Sequence, residues 1–591
     1  MHNKTLEGWC KSQKLCAILR SHRFSEIVMP SSLIHFPALH WASLCAASGI
    51  QDVILSPGSR SAPLSLAFAR TSGIRCTVIA DERVAGFVAL GMAEQTQKPV
   101  IVVCTSGSAL LNLAPAVSEA HFRQIPLLIL SADRPPELIG QQDGQTIFQE
   151  NALGKHTKAF FQLPTRTNET VEFRHSLRIF QEAMLLLHEH PRGVVHINCP
   201  FREPFYPDAQ EINIQTSLQP WARFEASDIS TGHFQNRFLA ALPQHPRVLI
   251  VAGQGTPPQG LWLPPQVPLV ADIISNCQHF AQSIKHHDLF LSASSSLQPL
   301  RPNVLITFGQ SVVSKNLKQF LRSAPINTHW HIQAHGDVPD TFHSLTHLAR
   351  MPLDEFWQNV PAFEENKAFY EAWHMANQAV ADIQMSSFEQ EWTEFTAIAH
   401  TLAQLPDQSC LHLANSMAVR YANFLGLSSK QKQVIVYANR GTSGIDGCLS
   451  TAIGQAKANS ERLHFLLVGD TAFFYDLNAF WQDNLPKNLR ILLNNNQGGG
   501  IFQFLPDARK QRELEKFFVV PHTRQAHGVA AEYGLSYQSA KSLFELKHAL
   551  PTFLAPHSGL QILECFSERD RNLAFFEQHK ALIAQKMRSL A

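Results

Sequence analysis

Short apolar runs of strand length recur along this chain, and most are followed by a stretch with helical patterning. The segment 99–123, PVIVVCTSGSALLNLAPAVSEAHFR, is typical: an apolar run, a loop with Ser and Gly, and then a helical pattern. Parallel strands need a long crossover connection, commonly a helix, and strands covered on both faces lose polar alternation. The repeated pattern therefore predicts an α/β fold built from doubly wound parallel sheets.

The length of the chain, 591 residues, requires more than one such sheet, because a single core rarely organises more than about 250–300 residues. The sequence itself shows no convincing internal repeat. Changes in patterning predict these boundaries: an N-terminal extension (1–27), a first α/β unit (28–205), a Pro-, Gln- and Asp-rich linker (206–230), a middle α/β unit (231–350), a helical connector (351–394) and a last α/β unit (395–591).

The composition excludes several classes of protein. Lys and Arg number 49 against 48 Asp and Glu, so no overall charge attracts nucleic acid or anionic lipid. The ten cysteines are scattered without a C-x-x-C pair, and no apolar run approaches the ~18–20 residues of a membrane helix. We expect a cytoplasmic protein with free thiols, no membrane span and no nucleic-acid partner.

Polar residues follow two of the apolar runs in the last unit. Asp470 follows HFLLVG, and Asn495 and Asn496 follow the run that contains RILL, with a single helix predicted between them. Ligands of open parallel sheets lie beyond the carboxyl ends of the strands, and carboxylate, amide and carbonyl oxygens suit Mg²⁺. Glycines 498–500 allow the backbone to approach an anion closely. The pattern predicts a Mg²⁺-bridged diphosphate site; the alternative is a helix cap followed by an ordinary turn.

The spacing from Asp470 to the asparagines resembles the thiamine-diphosphate fingerprint of the decarboxylase and acetolactate-synthase superfamily. Thr471 stands where glycine is usual. The resemblance implies that Asp470, Asn496 and the Gly498 carbonyl bind Mg²⁺, with Mn²⁺ as a substitute. Because three asparagines occur in a row, Asn495 remains the alternative ligand to Asn496.

A thiamine enzyme also needs a glutamate that protonates the aminopyrimidine ring. Glu82 follows the run CTVIA and begins a helical pattern, so the resemblance implies that it is this catalytic residue. The alternative is an acid that only favours a helix N-terminus.

Several longer strings narrow the resemblance to one branch. SPGSRSAPL (56–64), DERVAGF (81–87), TSGSALLNL (105–113), SADRPPEL (131–138) and NRGTSGIDG (439–447) occur in that order. Together they are similar to the 2-succinyl-5-enolpyruvyl-6-hydroxy-3-cyclohexene-1-carboxylate synthases of menaquinone biosynthesis. The resemblance implies a transferase that joins 2-oxoglutarate to isochorismate with loss of CO₂.

Both of those substrates are multiply anionic, and cationic side chains are suited to binding them. By position, the resemblance assigns substrate binding to Ser59, Arg60, Arg134, Gln145, Lys315, Ser416, Arg420 and Arg440, and adds Ile445 and Phe502 to the cofactor site. Two positions depart from the family pattern: Asn316 replaces a basic residue, and Gly144 stands where a side-chain amide can occur.

The resemblance also implies an assembly. The pyrimidine-binding unit (28–205) and the diphosphate-binding unit (395–591) of such enzymes come from different subunits, so we expect a homodimer or homotetramer with active sites at the subunit interface. The middle unit is expected to keep its sheet without binding a nucleotide.

Other functions stay open at this point. The chain could be another thiamine-diphosphate-dependent 2-oxo acid decarboxylase or carboligase, or a catalytically silent scaffold. A nicotinamide enzyme is disfavoured because no G-x-G-x-x-G follows a strand pattern. The alternating histidines of HWHIQAH (329–335) predict an edge strand rather than a metal site.

Overall fold

A computed structural model describes residues 37–167, 170–203, 238–293, 297–337, 339–387, 391–428, 430–556 and 559–590. The predicted N-terminal extension and the predicted linker, 206–230, lie outside the described residues. Within these ranges, no helix is both long and apolar enough to cross a bilayer, and the cysteines are free.

Three six-stranded sheets organise the described chain, and every strand pairing in them is parallel. The first sheet contains β1 (Asp52–Leu55), β2 (Arg75–Val78), β3 (Val100–Cys104), β4 (Leu127–Asp133), β5 (Ala159–Gln162) and β6 (Val194–Pro200). The middle sheet contains β7 (Val248–Ala252), β8 (Leu269–Ala271), β9 (Ser283–Ile284), β10 (Val304–Phe308), β11 (Thr328–Ile332) and β12 (His347–Ala349). The third sheet contains β13 (Cys410–Leu413), β14 (Ile435–Ala438), β15 (His464–Gly469), β16 (Leu489–Asn495), β17 (Ser536–Ala540) and β18 (Gln561–Phe566).

Helices cover the sheets and connect their strands. Around the first sheet lie α1 (Pro37–Ala47), α2 (Ala62–Ala69), α3 (Glu82–Thr96), α4 (Ser108–Asn112), α5 (Ala114–Arg123) and α6 (Thr170–His188). The middle part adds α7 (His287–Ala293), α8 (Lys315–Arg322), α9 (Leu353–Asn359) and α10 (Lys367–Ser387). The last part adds α11 (Glu394–Ala403), α12 (Met417–Leu425), α13 (Cys448–Ala458), α14 (Asp470–Tyr475), α15 (Pro506–Arg509), α16 (Ala526–Glu532), α17 (Leu543–Phe553) and α18 (Arg569–Leu590).

The strand order explains the apolar runs in the sequence. The first sheet has the order β2-β1-β3-β4-β6-β5, and the third has the equivalent order β14-β13-β15-β16-β18-β17. Successive residues of β3 enter different cores: Val102 packs in one hydrophobic cluster and Val103 in another on the opposite face. Because helices cover both faces, every residue of β3 and β4 is buried. The predicted fold class, doubly wound parallel sheets, is confirmed.

The two outer sheets pack together through equivalent helices. α3 follows the second strand of the first sheet, and α13 follows the second strand of the third sheet. A Cβ atom at Gly91 would lie 2.2 Å from the Thr451 carbonyl oxygen, and one at Gly454 would lie 2.2 Å from the Val88 carbonyl oxygen. Glycine on each helix therefore allows the two backbones to approach closely.

The structure corrects three details of the sequence interpretation. The single helix predicted after Asp470 is the short α14 followed by a separate 3₁₀ turn, Leu477–Phe480. Between them lies Asp476, whose buried side chain accepts hydrogen bonds from the backbone N–H and the hydroxyl of Ser450. The histidines of β11 do not lie on an edge strand, since β10 and β12 flank it. The short strands β5, β9, β12, β13 and β17 had no apolar run long enough to predict them.

Candidate active site

Glu82 lies at the carboxyl edge of the first sheet. It is the first residue of α3, and the Asp81 side chain caps that helix by accepting from the backbone N–H groups of Arg83 and Val84 at 2.9 and 3.3 Å. The Asn112 side chain, at the end of α4, donates to Glu82 Oε2 at 3.2 Å. The carboxylate is therefore held by an amide while it remains partly exposed at the end of its strand.

Two arginines lie at the same edge of the first sheet. Arg60 is buried, and its Nη1 donates to the Phe201 carbonyl at 2.9 Å. Arg134 donates to Ser106 Oγ and to Asp143 Oδ2. Burial lowers the pKa of Arg60, and the nearby positive charge of Arg134 lowers it further. The carboxylates of Glu203, Asp143 and Asp133 oppose that shift, so the two guanidinium groups lie beside acids of the same edge.

Ser59 and Gln145 are both exposed on loops at this edge. Gln145 has a left-handed backbone conformation, with φ 57°. Its carbonyl would lie 3.1 Å from a Cβ atom at Gly107, so the loop of Gln145 lies directly against the end of β3. The structure thus brings the sequence-predicted residues of the first unit together at one sheet edge.

Asp470 lies at the equivalent edge of the third sheet. It begins α14 directly after β15 and is 2% exposed. Its Oδ2 accepts from the Gly498 backbone N–H at 3.0 Å, and its Oδ1 accepts from the Thr471 hydroxyl at 3.1 Å. Burial raises the pKa of Asp470, and these hydrogen bonds oppose the shift. Thr471, the departure from the usual glycine, thus contributes a hydrogen bond to the carboxylate.

The neighbouring asparagines differ in how their amides are used. The Asn495 Nδ2 donates to Glu564 Oε1 at 2.7 Å and to the Arg524 carbonyl at 2.9 Å, and its Oδ1 accepts from the Gln497 N–H at 3.0 Å. The Asn496 Nδ2 donates to Glu394 Oε1, but its buried Oδ1 has no hydrogen-bond partner among the described residues. Of these two asparagines, only Asn496 has an amide oxygen without a hydrogen-bond partner among the described residues. Asn494 Oδ1 also lacks a partner among those residues, but Asn494 lies within β16 and not beyond its end.

Gly498 completes this cluster. Its φ of 152° and a 2.8 Å approach of a would-be Cβ to the Val519 carbonyl both require glycine. Its own carbonyl accepts from the Gly500 N–H at 2.9 Å and keeps a second lone pair. A carboxylate, an unpartnered amide oxygen and a backbone carbonyl fit a hard divalent cation. No group of three or more His, Cys, Asp or Glu side chains in the described ranges forms a separate metal centre.

A second pair of arginines lies beside the third sheet. Arg420, on α12, donates through Nη1 to the carbonyl of Ser416, the residue before the helix, and Arg440 donates to Asn415 Oδ1 at 2.8 Å. Burial lowers the pKa of both arginines, and the charge of Arg420 lowers that of Arg440 further. Among the described residues, neither side chain forms a salt bridge with a carboxylate.

The loop that carries Arg440 is held by a residue of the first unit. The buried Glu119 carboxylate, on α5, accepts from the backbone N–H groups of Gly441 and Thr442 at 3.0 and 2.6 Å and from the Thr442 hydroxyl at 2.8 Å. The position of Arg440 therefore depends on packing between the two outer units of one chain.

Lys315 is exposed at the start of α8 in the middle unit. The next residue, Asn316, donates to Asp288 Oδ1 at 2.7 Å, and the negative charge of Asp288 partly offsets the lowered pKa of Arg420. Asp288 thus lies close to both Asn316 and Arg420, which places the start of α8 near Arg420. The Asn316 side chain bonds to the protein's own acid, which accounts for the departure from a basic residue.

Ile445 and Phe502 contribute apolar surface next to these groups. Ile445 is partly buried against the main core, and the ring of Phe502 lies 5.7 Å from that of Phe518. Within the described part of the chain, no hydrogen bond or ion pair joins Glu82 to Asp470, Asn496 or Gly498. The candidate residues thus form two groups, one at the carboxyl edge of each outer sheet, while the neighbours of Glu82 bond to the third unit, Arg83 donating to the Tyr475 carbonyl and Asp81 accepting from Asn478.

The sequence and the fold of this chain are similar to those of known proteins. Residues 40–154 match the family model for the thiamine pyrophosphate enzyme N-terminal TPP binding domain, and residues 219–413 match the model "Middle domain of thiamine pyrophosphate". The 2-succinyl-5-enolpyruvyl-6-hydroxy-3-cyclohexene-1-carboxylate synthase of Cytophaga hutchinsonii is 41% identical, over 91% of this chain and 97% of the relative. The enzyme of the same name from Desulfotalea psychrophila is 36% identical, over 88% of this chain and 96% of the relative.

The chain belongs to the 2-succinyl-5-enolpyruvyl-6-hydroxy-3-cyclohexene-1-carboxylate synthase family. The family predicted from the motifs is therefore confirmed, as are a thiamine-diphosphate-dependent enzyme and its cofactor. The benzoylformate decarboxylase of Polynucleobacter necessarius has a similar fold, with a TM-score of 0.67, over 90% of this chain and 98% of that one. At 15% identity, that likeness supports the fold alone.

Sequence reasoning missed several residues that hold the candidate site residues in place. Asn112, Asn415 and Glu119 hold Glu82, Arg440 and the loop after Arg440, and none of them belongs to a pattern with a chemical meaning of its own. The helical connector predicted from the sequence ends at Glu394, but in the structure Glu394 is the first residue of α11 and contacts Asn496. Burial raises the pKa of Glu394 to about 7, and the nearby Asp470 adds to the shift.

Proposed function

We propose that this chain catalyses the decarboxylative addition of 2-oxoglutarate to isochorismate in menaquinone biosynthesis, the reaction implied by the name of its family. The observation that carries the proposal is the pair Arg420 and Arg440, two partly buried neighbouring cations whose hydrogen-bond partners among the described residues are neutral oxygens. Desolvated cations need anionic partners. Substrates with several carboxylates supply them.

The divalent cation site in this proposal consists of the Asp470 carboxylate, Asn496 Oδ1 and the Gly498 carbonyl. The unpartnered, buried Oδ1 is the main support, since a buried acceptor without a partner costs about 1–3 kcal/mol. Mg²⁺ is the expected ion because its ligands are oxygens and it keeps positions for phosphate, and Mn²⁺ is an acceptable substitute. These residues would hold the diphosphate end of the cofactor through the ion.

Thiamine diphosphate, when bound, supplies the nucleophilic carbon and the electron sink for decarboxylation. Glu82 would hold a proton on the pyrimidine ring, and its bond from Asn112 keeps the carboxylate in one orientation. Ile445 and Phe502 would supply the apolar wall of the cofactor site and exclude water from it.

The cationic and polar groups would bind the substrates' carboxylates and hydroxyls. One part of the substrate site would be formed by residues of the middle and last units, namely Lys315, Ser416, Arg420 and Arg440. The other part would be formed by residues of the first unit, namely Ser59, Arg60, Arg134 and Gln145. Arginine suits this role because its planar fork binds a carboxylate through two parallel hydrogen bonds.

A second copy of the chain would bring the two halves together. The pyrimidine-binding half carries the exposed Phe148, 80% accessible, and the diphosphate-binding half carries Phe517 and Val520, 64% and 60% accessible. Exposed apolar groups near both halves fit an interface that completes each site. We therefore propose a homodimer, or a homotetramer built from it, acting in the reducing cytoplasm, where buried free thiols persist.

The test is turnover of purified protein with thiamine diphosphate, Mg²⁺, 2-oxoglutarate and isochorismate, followed by the mass of the product. The expected product is the adduct that has lost CO₂. Reaction of pyruvate in place of 2-oxoglutarate at equal efficiency would instead favour another carboligase of the same superfamily.

A further inference from the structure

Glu394 is a buried acid in direct contact with the proposed cation site. It is 5% exposed, and its Oε1 accepts a hydrogen bond from Asn496 Nδ2. Its own backbone N–H donates to Asn572 Oδ1 at 2.9 Å, which fixes the start of α11. The carboxylate therefore approaches the asparagine from a rigid helix end.

A carboxylate can distinguish the two ends of an amide. An ionised carboxylate only accepts hydrogen bonds, while the asparagine amide carries a donor on nitrogen and an acceptor on oxygen. With Nδ2 bonded to Glu394, the Asn496 oxygen must point elsewhere. This oxygen is buried and has no hydrogen-bond partner among the described residues.

The adjacent asparagine provides an internal comparison. Asn495 also donates to a buried glutamate, Glu564, at 2.7 Å. In that case the Oδ1 accepts from the Gln497 N–H at 3.0 Å, so the whole amide has a structural role. The same Glu–Asn contact thus occurs twice, and only the contact with Glu394 leaves an oxygen available for a ligand.

We propose that Glu394 is a positioning residue that fixes the Asn496 amide with Oδ1 directed at the divalent cation. This inference rests on the proposed cation site of the proposed function. It adds a residue that contacts neither cofactor nor substrate and acts through Asn496.

The test is calorimetric binding of thiamine diphosphate to the full-length apo protein over a series of Mg²⁺ concentrations. Glu394→Gln should weaken binding at limiting Mg²⁺ by about tenfold, because a glutamine amide pairs equally well with either end of Asn496. Asn496→Asp should also weaken it, because two carboxylates then face each other.

The double variant Glu394→Gln with Asn496→Asp is the decisive arm. It has the same net charge as the wild type, and the introduced glutamine amide can donate to the new carboxylate. Binding should return to within about threefold of the wild type, a non-additive result expected only for a direct pair. Losses that simply add in the double variant would overturn the proposal.

Two controls separate positioning from general damage. Glu564→Gln removes the equivalent contact to Asn495 and should lower the thermal midpoint without changing the Mg²⁺ dependence of binding. If it weakens Mg²⁺-dependent binding as much as Glu394→Gln does, the specific role of Glu394 is wrong. Should Glu394→Gln not fold, Glu394→Asp shortens the reach by one methylene and should weaken binding in the same way, whereas wild-type affinity in that variant would refute the role.

A separate variant, Asp470→Ala, tests the cation site itself. Asp470→Ala should abolish Mg²⁺-dependent binding, and unchanged Mg²⁺ dependence in that variant would remove the cation site and with it the role of Glu394. The binding assay needs neither substrate. Failure of the wild type to form the expected product would therefore refute the proposed reaction while the binding result for Glu394 stands.

Discussion

The first and third sheets have the same strand order, but their strand ends carry different chemistry. The second strand of the first sheet is followed by Glu82, and the equivalent strand of the third sheet by Arg440. The third strands are followed by Ser106 and Asp470, and the fourth strands by Arg134 and Asn496. Topology determines where ligands can bind, while the residues at those positions determine what binds.

A local contact between helices is also repeated in the two units. In the first, Asn112 at the end of α4 donates to Glu82 at the start of α3. In the third, Asp476 directly after α14 accepts from the backbone and hydroxyl of Ser450, in the first turn of α13, at 2.8 Å each. The acid lies at the partly exposed helix start in one case and in the buried core in the other. The exposed acid is available for chemistry, and the buried one has a structural role.

The middle sheet provides a contrast to both. At the carboxyl ends of β7 and β10 the chain bonds to itself: Gly253 N–H donates to the Phe308 carbonyl, and Gln310 N–H donates to the Gln254 carbonyl, each at 2.8 Å. A Cβ atom at Gly253 would lie 2.2 Å from the Gln310 carbonyl. A cavity of about 200 Å³ remains beside these bonds, and its lining residues, among them Gly253, Ser275 and Phe308, carry no charge, unlike the strand ends of the outer sheets.

The largest expected effect separates the roles of the two outer units. Glu82→Gln keeps the shape of the side chain but removes the charge that favours a protonated pyrimidine nitrogen. We expect hydrogen–deuterium exchange at the thiazolium C2 of bound cofactor to fall by about a hundredfold or more. Cofactor affinity should change far less, because the proposed cation site on the third sheet is intact.

Glu82→Asp is the companion variant for that experiment. It retains the charge and loses one methylene of reach, and it should slow C2 exchange as well, because proton transfer tolerates little displacement. Exchange at the wild-type rate in Glu82→Gln would show that Glu82 is only a helix-start acid and that the two sheets do not divide the work in this way.

The next prediction concerns the packing that joins the equivalent helices. Gly454→Ala places a methyl group 2.2 Å from the Val88 carbonyl on the facing helix, so a backbone must move. We expect a loss of about 3 kcal/mol in the free energy of unfolding. Gly528→Ala is the matched control, because a Cβ atom there meets nothing within 4 Å and alanine is favoured in helices by up to about 1 kcal/mol. Equal shifts in the two thermal unfolding curves would mean that the α3–α13 contact is not tightly packed.

The sequence predicted those parts of the molecule whose signals are local. Buried central strands such as β3 and β16 are continuous apolar runs, and polar groups directly after them, such as Asp470, follow from strand topology. The identical strand order of the two outer sheets left no repeat in the sequence, because core packing requires apolar side chains of suitable volume and not particular residue types. Glu394 and Glu119 bond to residues that are 102 and 322 positions away in the sequence, so only the folded chain identifies their partners.

A third prediction tests the pair of arginines beside the third sheet. Arg420→Ala should raise the KM for 2-oxoglutarate by about tenfold or more, because a charge-assisted contact is worth roughly 1.5–3 kcal/mol. The effect on pyruvate, which lacks the second carboxylate, should be much smaller. The control is Arg178→Ala, which removes an exposed arginine paired with Glu182 on α6 and should leave both KM values unchanged. An equal loss for both keto acids in Arg420→Ala would contradict a role in binding the distal carboxylate.

The smallest effect comes from Asp476, the buried structural counterpart of the Glu82 contact. Burial raises the pKa of Asp476 from 3.8 to about 6 despite its hydrogen bonds from Ser450. A raised pKa in the folded state means that folding takes up a proton between these two values. The stability that protonation contributes is therefore fully present below pH 3.8 and is lost as the pH rises through about 6.

Asp476→Asn cannot titrate, so its free energy of unfolding relative to the wild type should rise by about 1 kcal/mol between about pH 5 and about pH 7. Chemical denaturation of both proteins across that range measures the difference. A difference that stays constant with pH would mean that Asp476 is already ionised in the fold, and that the two acids at this repeated contact differ less than their burial implies.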